Sequence, residues 1–254
     1  MRVLALLALC FAAVAAAPNN PQRIVGGSAT TIDQYPIIVA LLYSRDLINF
    51  WQVCGGTILN IRAILTAAHC TSGTPANRWR IRAGSSFGNS GGVVYNVKKN
   101  IVHSLFSSVT FDNDIAILHS ATTISFNNNV RAGSIAGPDY HFADYQPVWA
   151  VGWGTTVNGG SSSEQLRHAL LTAYSQNACR YKYALYSIVI TDNMVCSGWP
   201  DGSRDQCQGD SGGPLLHNNN VIGICSFGIK CGQYRVPGVN LRVSRYTSWI
   251  ISNS

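Results

Sequence analysis

From residue 24 onward the apolar residues of this chain fall in short stretches, each closed by turn-forming residues. They are YPIIVALLY (35–43), WRIRAG (79–84), VVYNV (93–97), DIAIL (114–118), VWAVGW (148–153), PLLH (214–217) and VIGIC (221–225). Runs of this length, separated by patches such as GNSGG (88–92), NGGSSS (158–163) and NNN (127–129, 218–220), predict β-strands joined by surface turns. A hairpin is predicted with Leu215–His217 and Val221–Ile222 as its arms. Only VSRYTSWIIS (243–252) reads as helical, with Val243, Tyr246, Trp249 and Ile250 on one face. No Pro- or Ser-rich linker, charge block or repeat divides the chain. The expectation is a mostly β sandwich or barrel, as one large domain or two small lobes sharing an interface.

The amino end has a different character. Arg2 precedes a fifteen-residue apolar run from Val3 to Ala17, followed by polar PNNPQR (18–23). A membrane-spanning helix needs roughly 20 apolar residues, so the segment reads as a secretory signal peptide cut near Ala16 or Ala17. Export makes disulfides the expected state of the cysteines. Eight are present, and loss of Cys10 with the signal leaves seven, an odd number. No Cys-x-x-Cys or His-Cys cluster has zinc spacing, so no metal is expected.

Charge is sparse. The full chain carries +7, and loss of Arg2 and Arg23 leaves 16 basic and 11 acidic groups, a net +5. The basic residues are scattered, which argues for a mildly basic surface and against a nucleic-acid partner. Arginine dominates lysine, which suits an alkaline setting because guanidinium stays charged where lysine begins to deprotonate, near pH ~10.4.

Chemistry is concentrated in RDQCQGDSGGPLL (204–216), which sets Ser211 at the mouth of an apolar strand. A serine nucleophile needs a base, and the base needs an orienting group. ILTAAHC (64–70) offers His69 at the end of an apolar strand, where small alanines leave room for an imidazole. FDNDIAILH (111–119) offers Asp114 just before another, where a carboxylate is buried unless paired. Each fragment alone is a weak signal. The three together in one exported chain are a strong one.

In these phrases, and in RIVGG (23–27), GWG (152–154), DQCQGDSGGP (205–214), CSFG (225–228) and PGV (237–239), the chain resembles the chymotrypsin-like serine proteases, and within them the trypsins. The resemblance runs from Ile24 to the C-terminal helix and is strongest toward digestive trypsins of lepidopteran larvae. It implies an all-β fold of two six-stranded antiparallel β-barrels packed face to face, with a boundary near residue 130 and a C-terminal α-helix. It implies a catalytic triad of His69, Asp114 and Ser211, with the N–H groups of Gly209 and Ser211 as oxyanion hole. Asp205 takes the position at the base of a pocket for Arg or Lys. Gln206, Ser226, Phe227, Gly228 and Gly238 line the substrate site, and Tyr183 supports it. Cutting after Arg23 would free the Ile24 amine to pair with Asp210. The chain is then a zymogen: signal peptide 1–16, activation peptide 17–23 and protease domain 24–254.

The resemblance also implies the disulfides Cys54–Cys70, Cys179–Cys196 and Cys207–Cys231, leaving Cys225 as a buried small hydrophobe. It departs from the pattern in three places. No acidic residue occurs between Asp46 and Asp112, so no calcium loop is expected. Gln206 replaces a small serine, and Phe227 a tryptophan. The expected protein is a secreted, monomeric endopeptidase of the gut lumen, acting on proteins and peptides and met by protein inhibitors. It needs no cofactor, metal, nucleic acid or membrane. The alternatives are a regulatory cascade protease and a non-enzymatic binding protein on the same fold.

Overall fold

The structure, a computed structural model, describes residues 25–254. The segments read as signal and activation peptide, with Arg23 and Ile24, lie outside the described residues.

Two closed six-stranded antiparallel barrels make up the fold. The short β1 (Ser28–Ala29) precedes the first, which consists of β2 (Ile38–Tyr43), β3 (Trp51–Ile58), β4 (Ala63–Thr66), β5 (Trp79–Ala83), β6 (Val93–Val102) and β7 (Ala116–Ser120). Its order is β2-β3-β4-β7-β6-β5, closed by β5 on β2. A two-residue β8 (Ser134–Ile135) follows. The second barrel consists of β9 (Pro147–Gly152), β10 (Arg167–Ala173), β11 (Met194–Gly198), β12 (Pro214–His217), β13 (Asn220–Phe227) and β14 (Gly238–Arg242). Its ring runs β9-β10-β11-β14-β13-β12 and returns to β9; β1 extends β10, and β8 pairs with β13 in parallel.

Side-chain alternation explains the strands. In β5, Trp79, Ile81 and Ala83 point into the barrel while Arg80 and Arg82 keep their heads half exposed. The β12–β13 hairpin turns on Asn218 and Asn219 with φ of +48° and +61°, the left-handed pair that matches strand twist, and asparagine tolerates it best after glycine. One core fills the first barrel around Leu41, Ile64 and Ile81. A larger one crosses between barrels, joining Ala40, Leu42 and Ile117 to Val148, Ala150 and Leu215. Burying this interface holds the two lobes at one separation.

Two expectations need correction. The apolar run ILTAAHC does not carry His69 on a strand: β4 stops at Thr66, and His69 lies on a helical turn, α1 (Ala68–Thr71). The tail is not the only helix either. A second, α2 (Gln176–Ala184), is capped by the Ser175 side chain accepting the Ala178 N–H and buries Cys179 and Tyr183. The tail begins as a 3-10 turn (Val243–Arg245) before α3 (Thr247–Asn253). No helix among the described residues is long and apolar enough to cross a membrane.

Candidate active site

The cleft between the barrels collects residues from both. The turn α1 presents His69, and the loop before β7 presents Asp114. From the other side, the loop 204–213 before β12 presents Asp205, Gly209, Asp210 and Ser211. His69, Ser211 and Asp205 line one cavity of about 280 Å³.

Asp114 is fully buried and fully occupied. Its Oδ1 accepts the His69 backbone N–H at 2.8 Å, and its Oδ2 accepts His69 Nδ1–H at 2.7 Å and the Ser226 hydroxyl at 2.5 Å. Holding both the backbone and the ring of His69 fixes the imidazole's position and tautomer together. With Nδ1 donating to a carboxylate, the lone pair of the neutral ring is on Nε2, which lies 3.8 Å from Cys70 Sγ. The Cys54–Cys70 disulfide (Cα–Cα 6.4 Å) ties α1 to β3 beside this ring. Phe111 packs on the other side, its centroid 5.5 Å from that of His69 and 5.4 Å from that of Phe227. Among the described residues the grouping of potential metal ligands is Cys54, His69 and Cys70, whose two sulfurs are spent on each other.

The loop carrying Ser211 is shaped by its neighbours. Ser211 C=O accepts the Gly55 N–H at 2.7 Å, anchoring the Ser211 loop to β3. Gly209 adopts φ +95°, a conformation natural to glycine, and a Cβ there would meet the Gly154 Cα at 3.1 Å. Asp210 turns away from the cleft into the second barrel. Its carboxylate accepts the N–H of Gly154 at 2.8 Å and of Cys207 at 2.9 Å, and burial pushes its pKa up to about 6.

Asp205 lies at the bottom of the cavity, only 4% exposed. Its Oδ2 accepts the Gly232 N–H at 3.0 Å and its Oδ1 the Gln206 N–H at 2.9 Å, from the two sides of the Cys207–Cys231 disulfide. Desolvation outweighs these bonds and raises its pKa to about 7. Gly228 and Gly238 form the walls above it. Gln206 is 7% exposed, and its Nε2 has no hydrogen-bond partner. A buried donor without a protein acceptor is costly unless water or a bound group meets it. Tyr183 donates its hydroxyl to Pro237 C=O at 2.7 Å, fixing the wall strand, and burial raises its pKa. The third disulfide, Cys179–Cys196, pins α2 to β11.

Several features had no signal in the sequence reading. The Ser226 hydroxyl is spent on Asp114 rather than offered to a ligand. Phe111 and Gln52 border the site. Cys225, by contrast, is the expected unpaired, buried cysteine; it lines the cavity, and burial pushes its thiol well above its ordinary pKa. The described chain starts at Val25, whose carbonyl accepts the Asp205 N–H at 3.2 Å.

Comparison with known proteins agrees with this geometry. The family model described as Trypsin matches residues 24–250. The chain is 60% identical to Trypsin CFT-1 of Choristoneura fumiferana over 256 residues, covering 100% of both. It is 59% identical to "Trypsin, alkaline C" of Manduca sexta over 252 residues, covering 99% of this chain and 98% of that one. Achelase-1 of Lonomia achelous is 45% identical over 236 residues, 91% of this chain and 100% of that one.

Proposed function

The chain belongs to the trypsin family and is a serine endopeptidase of the trypsin type, and on that premise we propose that it is a secreted zymogen cleaving after arginine and lysine. The observation that carries this is the pairing of His69 Nδ1 with Asp114 Oδ2 at 2.7 Å in a cleft that also holds Ser211 and Asp205.

In this reading Ser211 Oγ attacks the scissile carbonyl carbon while His69 Nε2 takes its proton. Asp114 keeps the imidazole in the accepting tautomer and stabilises the imidazolium as it forms. The carbonyl oxygen becomes an anion held by the N–H groups of Gly209 and Ser211. Collapse of the intermediate breaks the C–N bond, and His69 gives its proton to the leaving amine. Water then repeats the sequence on the acyl-enzyme and frees the acid.

Recognition rests on Asp205. A guanidinium or ammonium reaching the cavity floor would meet a carboxylate whose backbone partners leave it undercompensated, which supports a basic side chain before the scissile bond. Gln206, Phe227, Gly228 and Gly238 complete the substrate site, and Ser226, whose hydroxyl is held by Asp114, contributes to its lining.

Residues 1–16 are proposed as signal peptide and 17–23 as activation peptide, with the lobes of domain 24–254 meeting near residue 130. Cleavage after Arg23 would free the Ile24 ammonium for Asp210. The buried Asp210 carboxylate, and Val25 bonded beside the loop that carries it, support this switch. The proposed setting is the gut lumen, with dietary proteins as substrates and protein inhibitors as partners of a monomer. The test is hydrolysis of matched Arg, Lys, Phe and Leu amides before and after cutting at Arg23. Turnover of the basic pair by the cut form alone is expected; equal turnover of the Phe and Leu amides would overturn the reading.

A further inference from the structure

Gln52 belongs to the first barrel, yet its side chain ends on the nucleophile loop of the second. It sits on β3 where the register with β2 slips, Leu41 facing Cys54 and Leu42 facing Gln52. A bulge of this kind re-aims a side chain beside a site. The amide of Gln52, 8% exposed, donates through Nε2 to Gly209 C=O at 2.9 Å and to Cys54 C=O at 3.2 Å. Its own backbone is held in turn. The Gln52 N–H donates to Asn89 Oδ1 at 2.8 Å, and Asn89 donates through N and Nδ2 to the Glu164 carboxylate at 3.1 and 2.9 Å.

Gly209 is where such a brace matters. Glycine reaches positive and negative φ with little steric difference, so the peptide units on either side can rotate at low cost. An oxyanion donor helps catalysis only if it is aimed before charge develops. Fixing the carbonyl of the 209–210 peptide restricts rotation about the Gly209 Cα–C bond and so steadies, from its C-terminal side, the residue whose N–H is the proposed donor.

We propose that Gln52 is a positioning residue for the oxyanion hole, holding the Gly209–Asp210 peptide from the opposite barrel so that the Gly209 N–H is aimed at the developing oxyanion. The proposal rests on Gly209 and Ser211 being the oxyanion donors. It adds a role for a residue that touches neither substrate nor the triad.

The test uses the cut enzyme and two ligands. Benzamidine fills the Asp205 pocket without forming an oxyanion. A peptide ending in argininal forms a tetrahedral adduct on Ser211 and places one in the hole. Gln52→Met keeps the side-chain length and removes the donor. Its kcat and its argininal affinity should fall roughly tenfold to a hundredfold, less than loss of an oxyanion donor itself. Its KM and benzamidine affinity should stay at the wild-type values. Gln52→Asn, one methylene short of Gly209, should show the same split and serves if the Met variant does not fold. Unchanged argininal binding in these variants overturns the proposal. Parallel loss of benzamidine binding overturns it too, because Gln52 would then support the loop as a whole. Failure of the wild type to bind argininal more tightly than the matching alcohol would instead defeat the assignment of the donors.

Discussion

Asp205 and Gly238 face each other at the floor of the cleft, so close that a Cβ on Gly238 would come within 3.0 Å of Asp205 Oδ1. The carboxylate is open to a ligand because position 238 has no side chain. Burial raises its pKa to about 7. A raised acid pKa favours folding below the unfolded value near ~3.9, and that contribution is lost as pH climbs through about 7. A bound cation reverses the preference, since it pairs with the ionised form. Benzamidine should therefore bind about tenfold more weakly one unit below pH 7 than well above it, with proton release on binding. Calorimetry from pH 5.5 to 8.5 in buffers of different ionisation enthalpy measures both, and a flat profile would refute the coupling.

Ser211→Ala and His69→Ala should each abolish labelling by an organophosphonate while benzamidine still binds. Asp114→Asn should cost about four orders of magnitude in kcat at neutral pH, the loss known for this change in the family's type enzyme. Near-normal turnover by any of the three would remove the triad assignment.

Gln206 sets up a choice between arginine and lysine. Its buried amide occupies the space beside Asp205 in which a shorter lysine would need a bridging water, whereas arginine reaches the carboxylate directly through two N–H groups. Arginine substrates should be preferred in kcat/KM by about tenfold, and Gln206→Ser should narrow the gap by admitting water. Matched Arg and Lys amides turned over equally by the wild type would contradict this.

Asp210 gives the uncut and cut forms different stability profiles. In the intact chain its pKa is raised to about 6 by burial, so its contribution is present below the unfolded value near ~3.9 and lost as pH rises through about 6. Pairing with the Ile24 ammonium should lower that pKa and cancel the loss. The melting temperature of the cut form should thus gain on that of the uncut form between pH 5 and pH 7. Arg23→Gln should stay inactive after trypsin treatment, with the stability profile of the uncut form. Activity in intact Arg23→Gln would show that the switch is misread.

The strands were legible because they are short, apolar and bounded by turns, as in WRIRAG and the hairpin closed by Asn218 and Asn219; their closure into two barrels came only with the family resemblance. Helix α2 was not, because QNACRYKYA is mostly polar and buries only Cys179 and Tyr183, four residues apart; Ser175 was its one local signal. Likewise, His69 could be picked out by its apolar approach, but not the change from strand to helical turn at Ala67, between β4 and α1. Contacts such as Ser226 with Asp114, 112 residues apart, and Gln52 with Gly209, 157 apart, leave no trace in local sequence. They depend on how two barrels meet, which periodicity does not encode.

The meeting of the barrels also divides labour. His69 and Asp114 come from the first, whereas Asp205, Gln206, Gly228 and Gly238 all come from the second. On the proposed roles, changes at Gly228, Gly238 and their neighbours can alter recognition without touching His69 or Asp114, whereas Asp205 and Gln206 share their loop with Ser211 and are tied to it. The cleft wall that can drift and the pair that must stay are thus inherited on separate folding units.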